Sequence, residues 1–296
     1  MATNNLEQNN VEEVEVAHEI TIYAEPIFHV GKFEVTNSLL NSWLTVIVII
    51  ILCVALRLKL KKVPSKIQHI FELLLDGALG LVDQVTNDRK ISLKIFPLVL
   101  SLFLFILINN WLGLLPIVGS IGFYAMEGGH EVFLPLFRAG TADINTTLAL
   151  SIAMVVGSNI FGIIAIGAWK TFNKYVNVSI LGSIFTKVRK DPSILIVAPI
   201  TFFVGILELI GEVAKVASLS FRLFGNVFAG EVLLASMAAI FLYVLPGPFL
   251  FLEVFIGLIQ ALIFSLLATV YFTIASQDHS EHDEEHHEEK KELAHV

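Results

Sequence analysis

Cysteine is nearly absent: Cys53 is the single one among 296 residues. An internal disulfide framework is therefore excluded, and Cys53, lying in an apolar run, reads as a plain lipid- or core-facing residue. No glycine-rich loop able to cradle a phosphate occurs, nor a nucleophile triad, nor a cluster of metal ligands. No catalytic residue, cofactor or metal is expected on that account. The start of the chain lacks a basic segment followed by a short apolar run and a cleavage site, so no conventional secretory signal is expected. Clear internal repeats and broken helices, common in secondary transporters, are also missing.

Apolar side chains are what the sequence has in quantity. They make up 55% of the chain, with a mean hydropathy of +0.77, whereas soluble domains average about 45–50% by a count that includes glycine. This composition predicts an all-α integral membrane protein built as one helical bundle. The net charge of −8 is a poor guide, because acids crowd the two tails while basic residues sit between apolar segments. Three regions are expected: a polar, water-exposed segment over 1–37, a helical membrane domain over 38–276 and a charged tail over 277–296. His18 and His29 read as surface residues. The mixed His, Glu and Lys tail reads as a solvated run rather than a metal site.

About five membrane-embedded helices are expected. The first covers Leu39–Leu58, with Trp43 as an interfacial anchor, and ends in Arg57, Lys59, Lys61 and Lys62. By the positive-inside rule that end is cytoplasmic and the N-terminus external. Residues 66–85 follow, with apolar positions at helical spacing (Ile67, Ile70, Phe71, Leu74, Ala78), predicting an amphipathic helix. It lies in the cytoplasmic interface or docks on another subunit. The second span covers Ile95–Leu115 and closes on Asn109 and Asn110, which either line a wet cavity or make helix-end hydrogen bonds. A glycine-containing loop over Ile117–Ala142 lacks a basic excess and is expected outside. Asp143 and Asn145 open the third span, Ile144–Trp169, where Asp143 either caps the helix or stands at a channel mouth. Gly157, Ser158, Asn159 and Gly162 predict tight packing or a polar pocket there. Lys170, Lys174, Lys187, Arg189 and Lys190 mark a cytoplasmic return.

From Pro192 to Leu245 the chain is mostly apolar without a strong breaker after Pro199. It is either two spans with a hidden turn near Gly211 or one long, tilted helix. Its centre reads LELIGEVAKVASLSFRLFGNVFAGE over Leu207–Glu231. At ~100° per residue, Glu208, Glu212, Lys215, Arg222 and Asn226 fall in one stripe about 80° wide, and Glu231 lies roughly 140° from Glu208. That preserved stripe favours one continuous helix. Beside it runs a seam of small residues, Gly211, Ser218, Gly225 and Ala229, which permits close approach of another helix. Glu212 and Lys215 also fit a plain salt bridge tying helices together. Arg222 does not, since no acid lies within a helical turn. Its guanidinium cannot be neutralised by losing a proton, so it needs an anion, water or a partner subunit. After the turn at Pro246–Pro248, a last helix over Phe249–Ala275 carries Glu253, Gln260 and Tyr271 on one face. The hairpin is expected to bring Glu253 near Glu231. Two carboxyls in one poorly solvated site suit proton passage; a wet interfacial position for Glu253 is the plainer alternative.

The stretch SFRLFGNVFAGE closely resembles the signature of the a subunit of F-type ATP synthases. EVTNSLLNSW, NNWLGLLP, TADINTTLAL and LIQALIFSLLATVYF resemble further stretches of that family. The resemblance covers most of the chain from Phe33 to Ser276. It implies a proton-channel stator with two aqueous half-channels, its last two helices forming a hairpin inclined against a rotating c-ring. Peripheral-stalk b subunits, the rest of the complex, membrane lipid and protons would be its partners; no nucleic acid is involved. It implies that Arg222 faces the ring carboxylate, with Asn226 and Gln260 flanking it. Glu208 and Glu231 correspond to half-channel positions, and Glu253 stands where many bacterial relatives have histidine. Glu212, Asn109, Asn110, Asp143 and Asn145 are further candidates for lining. A bacterial inner membrane is the expected location, an organelle membrane the alternative, with the tail cytoplasmic. A stand-alone secondary transporter whose Arg222 binds an anionic substrate is the alternative.

Overall fold

Each apolar stretch folds as a helix, and four of the helices begin at a side-chain cap that the sequence supplies. The computed structural model describes residues 23–61, 65–115, 121–127, 130–168, 171, 194–240 and 246–276. Thr36 caps α1 (Asn37–Lys59), Ser65 caps α2 (Lys66–Thr86), Asp88 caps α3 (Arg89–Gly113) and Asp143 caps α4 (Ile144–Ile166). In each case a side-chain oxygen accepts a backbone N–H that the first helical turn leaves unpaired. Two further helices follow, α5 (Ile194–Ile240) and α6 (Pro246–Ser276). Helices α1, α3, α4, α5 and α6 are long and apolar enough to cross a membrane, and this is an all-α membrane protein. The basic residues from Lys170 to Lys190, the segment before Tyr23 and the tail from Gln277 lie outside the described residues.

The unbroken α5 answers the question left by its sequence: no turn occurs at Gly211. Its 47 residues extend about 70 Å at ~1.5 Å per residue. A hydrocarbon core is about 30 Å thick, so a helix this long and this apolar stays within lipid only by inclining steeply.

Burial is inverted relative to a soluble protein. On α1 the outward positions Ile47, Ile50, Ile51 and Val54 are exposed, while Asn37, Ser38, Asn41, Ser42 and Thr45 are buried. Lipid solvates the first group, and hydrogen bonds inside the bundle satisfy the second. Asn109 of α3 donates to the hydroxyls of Ser42 (3.5 Å) and Thr45 (3.3 Å). An apolar cluster of Ile106, Leu107, Met154, Val155, Leu219, Leu223, Phe264 and Ala268 joins α3, α4, α5 and α6. Helix α2 packs Val82 against Ile95, Val99 and Phe272, yet leaves Ile67, Ile70, Leu73 and Leu74 exposed. That division is the one expected of an amphipathic helix at the bundle's edge.

Two β-hairpins lie in regions expected to be irregular. Strands β1 (Pro26–Val30) and β2 (Phe33–Thr36) pair antiparallel ahead of α1, and Gly31 turns the chain at φ +67°. Strands β3 (Gly122–Glu127) and β4 (His130–Pro135) pair between α3 and α4. Part of the physical signal was present: in each case two short runs flank a two-residue link containing glycine, although only FEVT alternates apolar and polar residues. The polar, acid-rich composition of one region and the glycines of the other masked it.

Of the small residues on α4, Gly162 makes the closest approach. A Cβ there would lie 2.6 Å from the carbonyl oxygen of Ala275 on α6, whereas at Gly157 it would meet only the Phe272 ring at 3.7 Å. Gly162→Ala is expected to destabilise the bundle by about 1–3 kcal/mol through overpacking against backbone. Gly157→Ala is expected to be nearly neutral. Thermal unfolding of the two variants in detergent checks the contrast.

Candidate functional site

Leu219 and Leu223 are fully buried in the apolar cluster, and they fix which side of α5 turns outward. Ser218, Phe221, Arg222, Asn226 and Ala229 are the outward residues. The Arg222 Nη2 donates to the Ser218 hydroxyl at 3.4 Å, and among the described residues no carboxylate pairs with it. The surface around it is low. A Cβ added at Gly211 or Gly225 would meet nothing within 4 Å. A permanent cation therefore stands on a smooth strip of Gly, Ala and Ser flanked by the exposed ring of Phe221.

Toward the start of α5 lies a second polar group. The Lys215 Nζ sits 2.7 Å from Glu212 Oε1 and 5.1 Å from the centroid of the Tyr271 ring on α6. Asn159 of α4 donates to the other Glu212 oxygen at 3.3 Å. Three helices are tied here by one ion pair and its neighbours, which is the salt-bridge reading of Glu212 and Lys215. Glu208 is half-buried, one turn earlier on α5.

Toward the end of α5 the outward strip meets a cavity of about 380 Å³, its open mouth included. Asn110, Asn226, Glu231, Glu253, Gly257 and Gln260 contribute to its lining. Asn226 donates to Gln260 Oε1 at 2.8 Å, joining α5 to α6, and Gln260 is buried, its Nε2 without a hydrogen-bond partner among the described residues. Glu253 is 7% exposed. Its carboxyl lies so close over Gly230 that a Cβ there would come within 2.3 Å of it. The α5–α6 hairpin thus brings Glu231 and Glu253 into one cavity, as their spacing predicts.

Glu231 also has a partner that sequence reasoning passed over. Arg138, from the segment between β4 and α4, donates Nε and Nη2 to Glu231 Oε2 at 3.1 and 2.9 Å. Its only advance sign was an arginine without basic neighbours in the apolar run FLPLFRAG, just ahead of a span.

The remaining candidates separate. Asn110 borders the cavity, held by the Thr141 hydroxyl (2.6 Å) and donating toward the Gly257 carbonyl (3.5 Å). Asn109 turns instead to α1. Asp143 is buried as the α4 cap, accepting from the Asn145 N–H and from the hydroxyls of Ser38 and Thr146, each at 3.1 Å. The Asn145 residue is exposed. Asn109, Asp143 and Asn145 do not border the cavity.

The half-buried Glu212–Lys215 pair is expected to show a coupling of about 1 kcal/mol in a double-mutant cycle. Comparing the unfolding of Glu212→Gln, Lys215→Gln and the double variant measures it. Additive losses would mean that the contact is incidental.

The geometry can be set beside known proteins. The family model described as ATP synthase A chain matches residues 39–273. The protein called ATP synthase subunit a of Mycobacterium ulcerans (strain Agy99) is 33% identical over 252 residues, covering 83% of this chain and 89% of its own. Its namesake from Mycobacterium tuberculosis (strain CDC 1551 / Oshkosh) is 34% identical over the same length, with the same coverage. That of Syntrophobacter fumaroxidans (strain DSM 10017 / MPOB) is 31% identical over 243 residues, covering 82% and 85%. The match takes in all of α2 to α5 and nearly all of α1 and α6, including the arginine-bearing strip and the cavity beside it, and so the chain belongs to the ATP synthase A chain family.

Proposed function

We propose that this chain is the proton-translocating stator of an ATP synthase membrane sector in a bacterial inner membrane, with no catalytic activity by itself. The observation that carries the reading is Arg222, an outward guanidinium on a strip of small residues along an inclined apolar helix. A low strip of this kind suits a rolling contact with a ring of helices. The charge at its centre suits a passing carboxylate, because an intramembrane cation needs an anionic partner.

Along α5 the polar groups divide on either side of Arg222. Asn226 and Glu231 lie four and nine residues beyond it, with Gln260 and Glu253 across the hairpin. Glu212 and Glu208 lie ten and fourteen residues before it. At ~1.5 Å per residue the two outer carboxyls, Glu231 and Glu208, are about 35 Å apart along the helix. In the proposed mechanism, protons enter from the external side through the cavity at Glu231 and Glu253 and neutralise a carboxylate on the c-ring. A neutral carboxyl can turn into lipid, whereas an ionised one cannot at acceptable cost. After nearly a full turn it reaches the Glu208–Glu212 side and releases its proton to the cytoplasm. Arg222 favours the ionised carboxylate between the two routes and repels cations, so protons do not run directly from one to the other. One charge moved across 100 mV is worth about 2.3 kcal/mol, and a leak would discard it. The basic end of α1, Arg57 and Lys59, supports a cytoplasmic side there, which puts the β-hairpins outside. The b subunits and the soluble ATPase complete the assembly.

Arg222→Ala is expected to abolish ATP-driven proton pumping in inverted vesicles while the complex still co-purifies with its ring. Arg222→Lys is expected to fail as well, since a buried lysine can give up its proton. Pumping at the wild-type rate in either assembled variant would overturn the reading.

A further inference from the structure

We infer that Glu212 withdraws Lys215 from the path of the ring carboxylate, so that of the two cations on α5 Arg222 alone engages it. The inference rests on the stator reading above and gives a task to an ion pair that would otherwise only tie helices together.

Lys215 and Arg222 are the two cations of α5. Seven residues separate them, about 10 Å along the axis and only ~20° around it. Lys215 therefore starts from the edge of the strip on which Arg222 stands. The surface beside it is low, since a Cβ added at Gly211 would meet nothing within 4 Å. Glu212 lies ~60° further round, on the side marked by the buried Leu219 and Leu223. Its side chain is 15% exposed, against 32% for Lys215. The acid draws the ammonium inward: Nζ sits 2.7 Å from Glu212 Oε1 and 5.1 Å from the centroid of the Tyr271 ring on α6. Glu212 is itself anchored, its other oxygen accepting from Asn159 of α4 at 3.3 Å. Among the described residues Glu212 is the sole ion-pair partner of Lys215.

The consequence is electrostatic. A cation within about 4–6 Å favours the ionised form of a carboxyl. That suits Arg222, which stands between the two proton routes. It is adverse two turns earlier on α5. There, in ATP-driven pumping, the ring carboxylate must take up a proton from the cytoplasm before it can enter lipid. A lysine left free on its flexible four-carbon stem would reach onto the low strip and hold that carboxylate ionised. Held by Glu212 and lying over Tyr271, the same ammonium belongs to a pair with no net charge. Glu212 is thus a positioning residue that acts through Lys215.

The test measures ATP-driven quenching of a pH-sensitive dye in inverted vesicles carrying the whole complex, with ring co-purification as the check on assembly. Glu212→Gln frees the lysine and is expected to slow pumping about tenfold. Adding Lys215→Gln removes the freed charge, and this double variant is expected to pump about tenfold faster than Glu212→Gln alone. Adding Lys215→Arg instead keeps a charge that cannot be lost, and it is expected to leave pumping as slow as in Glu212→Gln or slower. A pair that merely ties helices is broken equally in all three variants, and neither second substitution would then restore the rate. Wild-type pumping by Glu212→Gln overturns the inference. So does a Glu212→Gln/Lys215→Gln variant that fails to assemble or pumps no faster than Glu212→Gln, and so does equal recovery with Lys215→Arg. Arg222→Ala in the same vesicles separates the two ideas: if it pumps, the stator reading itself has failed.

Discussion

A charge that cannot be titrated away must be matched wherever water is scarce, and this constraint sets the layout of the chain. It acts at two arginines with opposite solutions. Arg138 is matched inside the chain, by Glu231, and is buried. Arg222 donates to the Ser218 hydroxyl and faces outward, and among the described residues no carboxylate pairs with it; in the proposed function its match comes from the ring. The same chemical group thus stands once in a cavity wall and once on an outward strip. Lys215, which can lose its proton, is handled differently again, by Glu212 and the face of Tyr271.

The surrounding fold follows from placing polar groups where lipid cannot reach them. Residues 37, 38, 41, 42 and 45 put Asn, Ser and Thr on one side of α1, and that side is buried against Asn109. The isoleucines of the opposite side need no partner because hydrocarbon accepts them. Glycines stand where backbones or carboxyls must come close: Gly162 against Ala275, Gly113 against Ala139 and Gly230 beneath Glu253. Each contact removes a degree of freedom from the site without adding a polar group to it.

Much of this was legible in the sequence. Helix spacing put Glu208, Glu212, Lys215, Arg222 and Asn226 in register on one helix, and the absence of a breaker after Pro199 made that helix continuous. Two long helices joined as a hairpin put Glu253 and Glu231 in one cavity, although Pro246–Pro248, read as the turn, form the start of α6. What escaped was long-range. Arg138 and Glu231 are 93 positions apart, and no periodicity links a residue in a connecting segment to one on a helix. The opposed tasks of Asn109 and Asn110 escaped for a related reason. Adjacent residues on a helix point about 100° apart, and only the neighbours decide which of them meets the cavity. The two hairpins are short, and most of their strands lack the apolar–polar alternation that marks a strand.

One property of α5 bears on mechanics rather than chemistry. Its sole proline, Pro199, lies within two turns of its start, so from there to Ile240 the backbone hydrogen-bond ladder runs without a missing rung. Such a rod resists bending. A sideways push applied at mid-length is shared by the anchors at Leu219 and Leu223 and carried outward to both ends instead of being absorbed by a local kink. The part of the protein that the proposed ring would lean on hardest is thus a beam without a proline hinge from Pro199 to Ile240.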